Sequence, residues 1–329
     1  MNKNFKLLLA LIVSLFGLYF AFSGQDFESL SYNLSNVNID KVCTAIALLI
    51  ASCLPRALRW KLLVEPFESM SFHHVLSATM IGYFGNGILF FRLGEFLKAF
   101  VLAKEHKITV PQAFGTVITE RVLDLLMVLL IFLIVIPLFP LNDEKIKIAL
   151  FLSSSIVVVF VAIIVIVYKL DFLEKISQFK IFHNRYGKKA ISPIQKLLEG
   201  VIVIFKNKNI FMIVFLSLFI WGMYFYIGVI VLDACKISLG YVEVGVLTVI
   251  SSFIIGIPSL PGAAGTLHSG VRYALEGVFQ ISAPKALSYA IISHAISYFP
   301  LLVIGSIYFL ISNVSLKELK KNKVINEEI

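Results

Sequence analysis

Apolar runs as long as a bilayer is thick dominate this chain. Residues 42–64, 115–138, 146–168, 210–232 and 287–311 form five stretches of mostly apolar positions. A hydrocarbon core about 30 Å thick takes about 20 such residues as a helix. Soluble domains carry about 45–50% apolar and about 25% charged residues; here the figures are 59% and 15%, with a mean hydropathy of +0.91. That balance excludes a water-soluble enzyme, a disordered chain, a disulfide scaffold and a nucleic-acid module. The expected class is an all-α integral membrane protein. Its net charge of +9 then reads as basic loops that hold orientation and attract anionic lipid head groups. Cys43, Cys53 and Cys235 follow no CxxC or metal-ligand spacing and read as inert helix residues.

A further run at 5–23 ends in Ala21-Phe22-Ser23, a weak cleavage site. Its apolar length exceeds the about 7–15 residues of a signal-peptide core, so it is expected to remain as an anchor helix. Residues 24–41 read as a short outside loop or interfacial helix. Two other apolar regions are interrupted. Gly82, Gly85, Asn86, Gly87, Arg92, Gly94 and Glu95 cut 72–108, and the string IGIPSLPGAAGT (255–266) cuts 240–282.

Of the 29 Lys and Arg residues, 21 fall in 1–6, 55–72, 98–112, 169–209 and 312–329, against four in 24–41, 140–147 and 233–243. The positive-inside rule therefore puts both termini in the cytoplasm. On that count 73–97 enters and leaves from inside, and 241–282 from outside. The expected architecture is about six full transmembrane helices plus two opposed re-entrant helical hairpins; eight full spans is the alternative. Residues 1–311 form a single polytopic domain, with pseudo-inverted halves at about 42–139 and 210–311. Span 146–168 and the basic loop 169–209 join them, and 312–329 is a charged cytoplasmic tail.

Irregular backbone at membrane depth is tolerated only inside protein or along a polar cavity, because unpaired N–H and C=O groups cost several kcal/mol in lipid. Two such breaks of opposite polarity, one per half, match the discontinuous helices that build a midplane substrate site; close helix packing on glycine is the plainer alternative. In the second break Pro261 and its neighbour Pro258 stop the incoming helix. Gly262 and Gly265 loosen the turn, and Thr266 is expected to cap the outgoing helix, whose N-terminus suits a phosphate oxygen. Arg272 follows a turn and a half later.

The first break offers Asn86, Arg92 and Glu95, and the next span begins with Glu120, Arg121 and Asp124. Ionisable groups inside a span are paired or functional. One reading is a salt-bridge network such as Arg92 to Asp124 or Glu95 to Arg121; the other leaves an arginine free for a ligand. Arg56, Arg59 and Lys98 are expected near the cytoplasmic interface, as snorkelling anchors or as a grip on lipid phosphate. His268 and His294 stand out as a pair, although lone histidines on apolar helices are more often packing residues.

PRALRWKLLVEP (55–66), IGYFGNGILFFRLGEFLKAFVLAKE (81–105), GTVITERVLDLL (115–126) and SLPGAAGTL (259–267) resemble the transmembrane region of the lysylphosphatidylglycerol synthase/flippase family, which includes stand-alone YbhN-like membrane proteins. The resemblance implies a bacterial or archaeal inner membrane and the handling of phospholipids or polyprenyl lipids. This chain departs from the family pattern at Phe91, where a proline usually precedes the arginine, and at Lys98, where arginine is common. Only eighteen residues follow Ile311, so the soluble aminoacyl-transferase domain of the best-known members is not expected, nor is lysyl transfer. With no GxxxxGK[ST], HExxH or DxD string, the sequence points to a non-enzymatic lipid translocase without cofactor or metal. Its expected partner is a membrane phospholipid or polyprenyl-phosphate lipid, not nucleic acid. A homo-oligomer or a separate synthase partner fits as well; a non-catalytic assembly factor is the competing reading, and an integral-membrane lipid-modifying enzyme the remaining one.

Overall fold

A computed structural model of the chain describes residues 15–16, 18–89, 92–104, 106–139, 144–169, 185–256, 261–263 and 265–312. Most of the expected N-terminal span, Pro258, the loop segment 170–184 and the tail from Asn313 lie outside them. Among the described residues every regular element is helical. After a short helical segment ending at Phe22 come α1 (Phe27–Ser35), α2 (Ile39–Val64), α3 (Phe72–Ile88), α4 (Gly94–Lys104) and α5 (Val110–Val135). They are followed by α6 (Glu144–Lys169), α7 (Arg185–Ile202), α8 (Ile210–Ala234), α9 (Tyr241–Gly256), α10 (Thr266–Gly277) and α11 (Ala283–Ile311).

Four of these helices are long and apolar enough to cross a membrane: Ile39–Val64, Val110–Leu138 with its final 3-10 turn, Ile210–Ala234 and Ala283–Ile311. The expected span at 146–168 falls on α6, a continuous helix of 26 residues. The outward faces are apolar: Phe211 is 87% exposed and Leu310 79%. Such a surface suits lipid rather than water.

Local chemistry sets the helix starts. The Asn38 side chain accepts from the Lys41 amide at 3.1 Å, and Ser71 Oγ from the His74 amide at 3.2 Å. Thr109 and Gln112 close a capping box over the start of α5. Each satisfies an amide that the first helical turn leaves without a partner.

The two interrupted regions form two helix–break–helix units of similar proportion, 17 and 11 residues in the first and 16 and 12 in the second. The first folds back on itself. Glu68, ahead of α3, accepts from the amides of Lys107 at 2.6 Å and Ile108 at 3.1 Å, beyond the end of α4. The chain therefore returns to where it entered. Small residues permit this: a Cβ on Gly94 would stand 2.1 Å from the Gly82 carbonyl oxygen and 2.3 Å from the Asn86 amide nitrogen. In the second unit α10 packs back along α9, with Gly270 under Ile254.

α2 packs along α8, and α5 touches both units, α4 of the first and α9 of the second. α11 lies behind them, with Gly305 against the Met80 carbonyl of α3. The two larger hydrophobic cores are separate. One gathers Leu63, Leu97, Leu123 and Ile213, the other Leu49, Val128, Val231 and Leu275. Along α2, α5 and α8 a layer of charged and polar side chains separates the two.

Candidate functional site

The separating layer is built from three helix faces. α2 supplies Arg56 and Arg59, α5 supplies Glu120, Arg121 and Asp124, and α8 supplies Ser217, Trp221 and Tyr224. Spacings of three and four residues bring each set onto one side of its helix. The first hairpin adds Asn86, Glu95 and Lys98. Arg59 and Glu120 are completely buried.

Asp124 is the hub. Its carboxylate accepts from Arg56 Nη2 at 2.8 Å and Arg59 Nη2 at 2.8 Å, with Arg121 Nη1 at 3.3 Å and Trp221 Nε1 at 3.4 Å. Tyr224 takes a second bond from Arg56 at 2.8 Å, and Ser217 one from Arg59 at 3.0 Å. Lys98 donates to Glu120 and lies over the Trp60 ring, 3.8 Å from its centroid. Trp60 in turn is fixed by its Nε1–H bond to Thr116 at 2.9 Å. A buried ammonium over an indole face gains from the ring quadrupole as well as from its carboxylate.

Glu95 is held more loosely. It accepts from Asn86 at 3.2 Å and stands 3.9 Å from Arg121 Nε. Four cations thus share three carboxylates, leaving one positive charge in excess. Several polar atoms in this layer are buried without a hydrogen-bond partner: Arg59 Nε, Arg121 Nε, Glu120 Oε1 and Asn86 Oδ1. Tyr83, Asn86, Glu95, Lys98, Arg56 and Arg121 line a polar cavity of about 10 Å³, room for about one water molecule.

The structure moves three expected positions. Arg56, Arg59 and Lys98 are buried beside the midpoints of α5 and α8 rather than at a helix end, because Asp124 and Glu120 compensate them there. Glu95 does face Arg121, as one of the expected pairings had it. Arg92 does not meet Asp124 in an ion pair. It sits exposed at the tip of the first hairpin, in a left-handed conformation with φ +57°, and has no ion-pair partner among the described residues.

In the second break Gly262 and Gly265 adopt φ of +71° and +86°, and Ala263 joins them at +58°. Pro261 opens the short 3-10 turn there. Thr266 does not cap α10. The cap position is Gly265, and the Thr266 hydroxyl donates to the Ala263 carbonyl at 3.2 Å. Arg272 is remote from the charged layer. Its guanidinium binds Glu276 at 2.8 Å and the carbonyls of Phe20 and Ala21 at 2.9 Å, closing the end of the N-terminal helical segment.

Four participants escaped sequence reasoning. Ser217, Trp221 and Tyr224 recur at i, i+4 and i+7 in an otherwise apolar helix, a polar stripe that was there to be read. Tyr298 carried no such signal. Its hydroxyl donates to the Gly87 carbonyl at 3.0 Å, and its ring covers Gly262, where a Cβ would stand 2.4 Å from Cε2. One side chain of α11 therefore ties the tips of both hairpins together.

Fold and site together define an all-helical membrane protein with two broken-helix hairpins meeting over a buried, cation-rich layer. The chain belongs to the lysylphosphatidylglycerol synthase transmembrane region family, whose model matches residues 7–305. It is similar to a UPF0104 membrane protein of Methanocaldococcus jannaschii, with 28% identity over 305 residues, covering 88% of this chain and 89% of the relative. No solved structure matches the chain.

Proposed function

We propose that this protein is a lipid translocase that passes the phosphate-bearing head group of an anionic phospholipid or polyprenyl phosphate across the cytoplasmic membrane. The acyl or prenyl chains stay in the bilayer. The observation that carries this reading is the graded pairing of the buried cations. Arg56 and Arg59 each donate to Asp124 at 2.8 Å, and Lys98 donates to Glu120. Arg121 is shared between Asp124 at 3.3 Å and Glu95 at 3.9 Å and keeps a buried, unpartnered Nε, and exposed Arg92, at the hairpin tip, has no ion-pair partner among the described residues.

A phosphate entering at that tip would displace Glu95 as the weaker acceptor and bridge Arg92 and Arg121 by charge-assisted, bidentate bonds. The deeper pairs hold those cations in place without competing for the lipid. The cavity of about 10 Å³ is too small for a head group, so the arrangement corresponds to a closed state that must open at the hairpin tips. No covalent chemistry is required of the chain. The charge bias of the loops supports a cytoplasmic location for both termini.

The test is translocation in proteoliposomes. Purified protein should accelerate the exposure of head-group-labelled phosphatidylglycerol or polyprenyl phosphate to a membrane-impermeant quencher, without ATP or divalent metal. Arg92→Ala should fold normally yet lose this activity, and Arg92→Lys should recover part of it. No acceleration over protein-free vesicles for either lipid, or full activity in a well-folded Arg92→Ala, rejects the reading.

A further inference from the structure

His268 of α10 and His294 of α11 are joined in a chain whose two ends are backbone groups of the second break. The Gly265 amide donates to His268 Nδ1 at 3.4 Å. His268 Nε2 stands 3.2 Å from His294 Nδ1, and His294 Nε2 is 2.8 Å from the Gly262 carbonyl. A backbone N–H can only donate and a carbonyl can only accept. Together they fix every proton: His268 carries its hydrogen on Nε2 and gives it to His294 Nδ1, and His294 carries its own on Nε2. Both rings are neutral, and the break is closed by a one-way relay.

No position in this relay accepts an extra proton without breaking a link. On His268 Nδ1 the proton would oppose the Gly265 N–H. On His294 Nδ1 it would oppose the His268 N–H, unless His268 changed tautomer, which again sets its Nδ1–H against Gly265. The link lost lies next to backbone that is already strained, with Ala263 as a non-glycine residue at φ +58°. Around the relay, the titratable group on α11 is Tyr298, its ring 5.5 Å from that of His294. The charges on α10, Arg272 and Glu276, are paired with each other. From α3 the approach is the Gly87 carbonyl, held by Tyr298. No carboxylate among the described residues pairs with either histidine.

We propose that His268 and His294 form a proton-binding site that latches the second hairpin, and that proton uptake there frees Gly262, Ala263 and Gly265 and, through Tyr298, the tip of the first hairpin. Coupling of this opening to lipid movement rests on the translocase reading; the opening itself does not. The proton drives nothing covalent: it enters from water, occupies an imidazole nitrogen and leaves when the break recloses.

The experiment separates the two. In full-length protein in lipid nanodiscs, Ala263→Cys is labelled by a water-soluble maleimide between about pH 8 and about pH 4.5, a range that brackets the ordinary histidine value of about 6.5. Its rate is divided by that of the native exposed Cys43, so that the common loss of thiolate cancels; Cys53 and Cys235 are replaced. The ratio should rise at acid pH, by up to about tenfold per pH unit below the ordinary histidine value, because the latched form takes up no proton. The double variant His268→Gln/His294→Gln keeps an acceptor for the Gly265 amide, a donor for the Gly262 carbonyl and a bond between the two side chains but cannot titrate, and should hold the ratio flat.

A flat ratio in the parent, or an unchanged rise in a folded His268→Gln/His294→Gln, overturns the latch whatever the transport assay gives. If the ratio behaves as expected while vesicles show no lipid movement, the translocase reading fails and the latch stands. If the double variant does not fold, 15N-imidazole spectra of the parent replace it. Nε2–H tautomers at both histidines at neutral pH support the latch, and any other tautomer pair refutes it.

Discussion

Asp124→Asn isolates the charge at the centre of the polar layer. The amide keeps the carboxylate's shape and one acceptor, yet Arg56, Arg59 and Arg121 lose the negative charge they share, and the cation excess among these residues rises from one to two. Asp124 is only 9% exposed, so water screens little of this. Breaking a buried pair by removing one partner costs about 3–5 kcal/mol, most of it the burial of an uncompensated charge. Unfolding entropy runs at about 2.1 cal/mol/K per residue. For 329 residues that is about 0.7 kcal/mol/K, so the melting midpoint should fall by about 4–7 °C.

The assay is a thermal melt in detergent followed by the loss of the monodisperse chromatographic peak. Arg56→Gln in the Asp124→Asn background should recover part of the shift, because it removes one of the stranded cations; the double-mutant cycle reads the coupling directly. A midpoint for Asp124→Asn indistinguishable from the parent, with no coupling to Arg56, would refute the view that this carboxylate holds the layer together.

Two further outcomes follow from the first hairpin. Gly94→Ala places a methyl 2.1 Å from the Gly82 carbonyl oxygen, so it should destabilise by about 1–3 kcal/mol as overpacking does; an unchanged melt would mean that the hairpin arms are not in contact. At the hairpin's base, burial pushes the Glu68 carboxyl up, but bonds from His106, Ile108 and Lys107 outweigh it and hold the group below its ordinary 4.5. Its contribution is therefore present above that value and lost as pH falls through the lowered one. The melting advantage of the parent over Glu68→Gln should be evident near about pH 7 and shrink as pH falls below the ordinary carboxylate value; a difference independent of pH would argue against an ionised latch.

Much of the architecture was legible in the chain itself. Apolar length is a local property, so the continuous helices at 39–64, 110–135, 144–169, 210–234 and 283–311 lie where hydropathy puts them. Both interruptions were visible for the same reason, since glycine and proline act on their own backbone. The carboxylates of α5 and their arginine neighbour could be singled out because a charge in an apolar run is costly wherever it lies.

Depth and partnership were not legible. From sequence Arg56 and Arg59 look like anchors at a helix end; only the approach of α5 to α2 brings Asp124 to them and makes burial affordable. Lys98 likewise depends on Glu120 from one helix and Trp60 from another. Arg272, equally charged and equally close to a break, was drawn off to the carbonyls of Phe20 and Ala21. The meeting of the two hairpin tips rests on Tyr298, whose partners are 211 residues away at Gly87 and in the second break at Gly262. The sequence determines which segments dissolve in a membrane and where they break, because these depend on each residue's own transfer energy and backbone freedom. Which charges compensate one another depends on distances of a few ångströms between separate helices, and those only the packed structure decides.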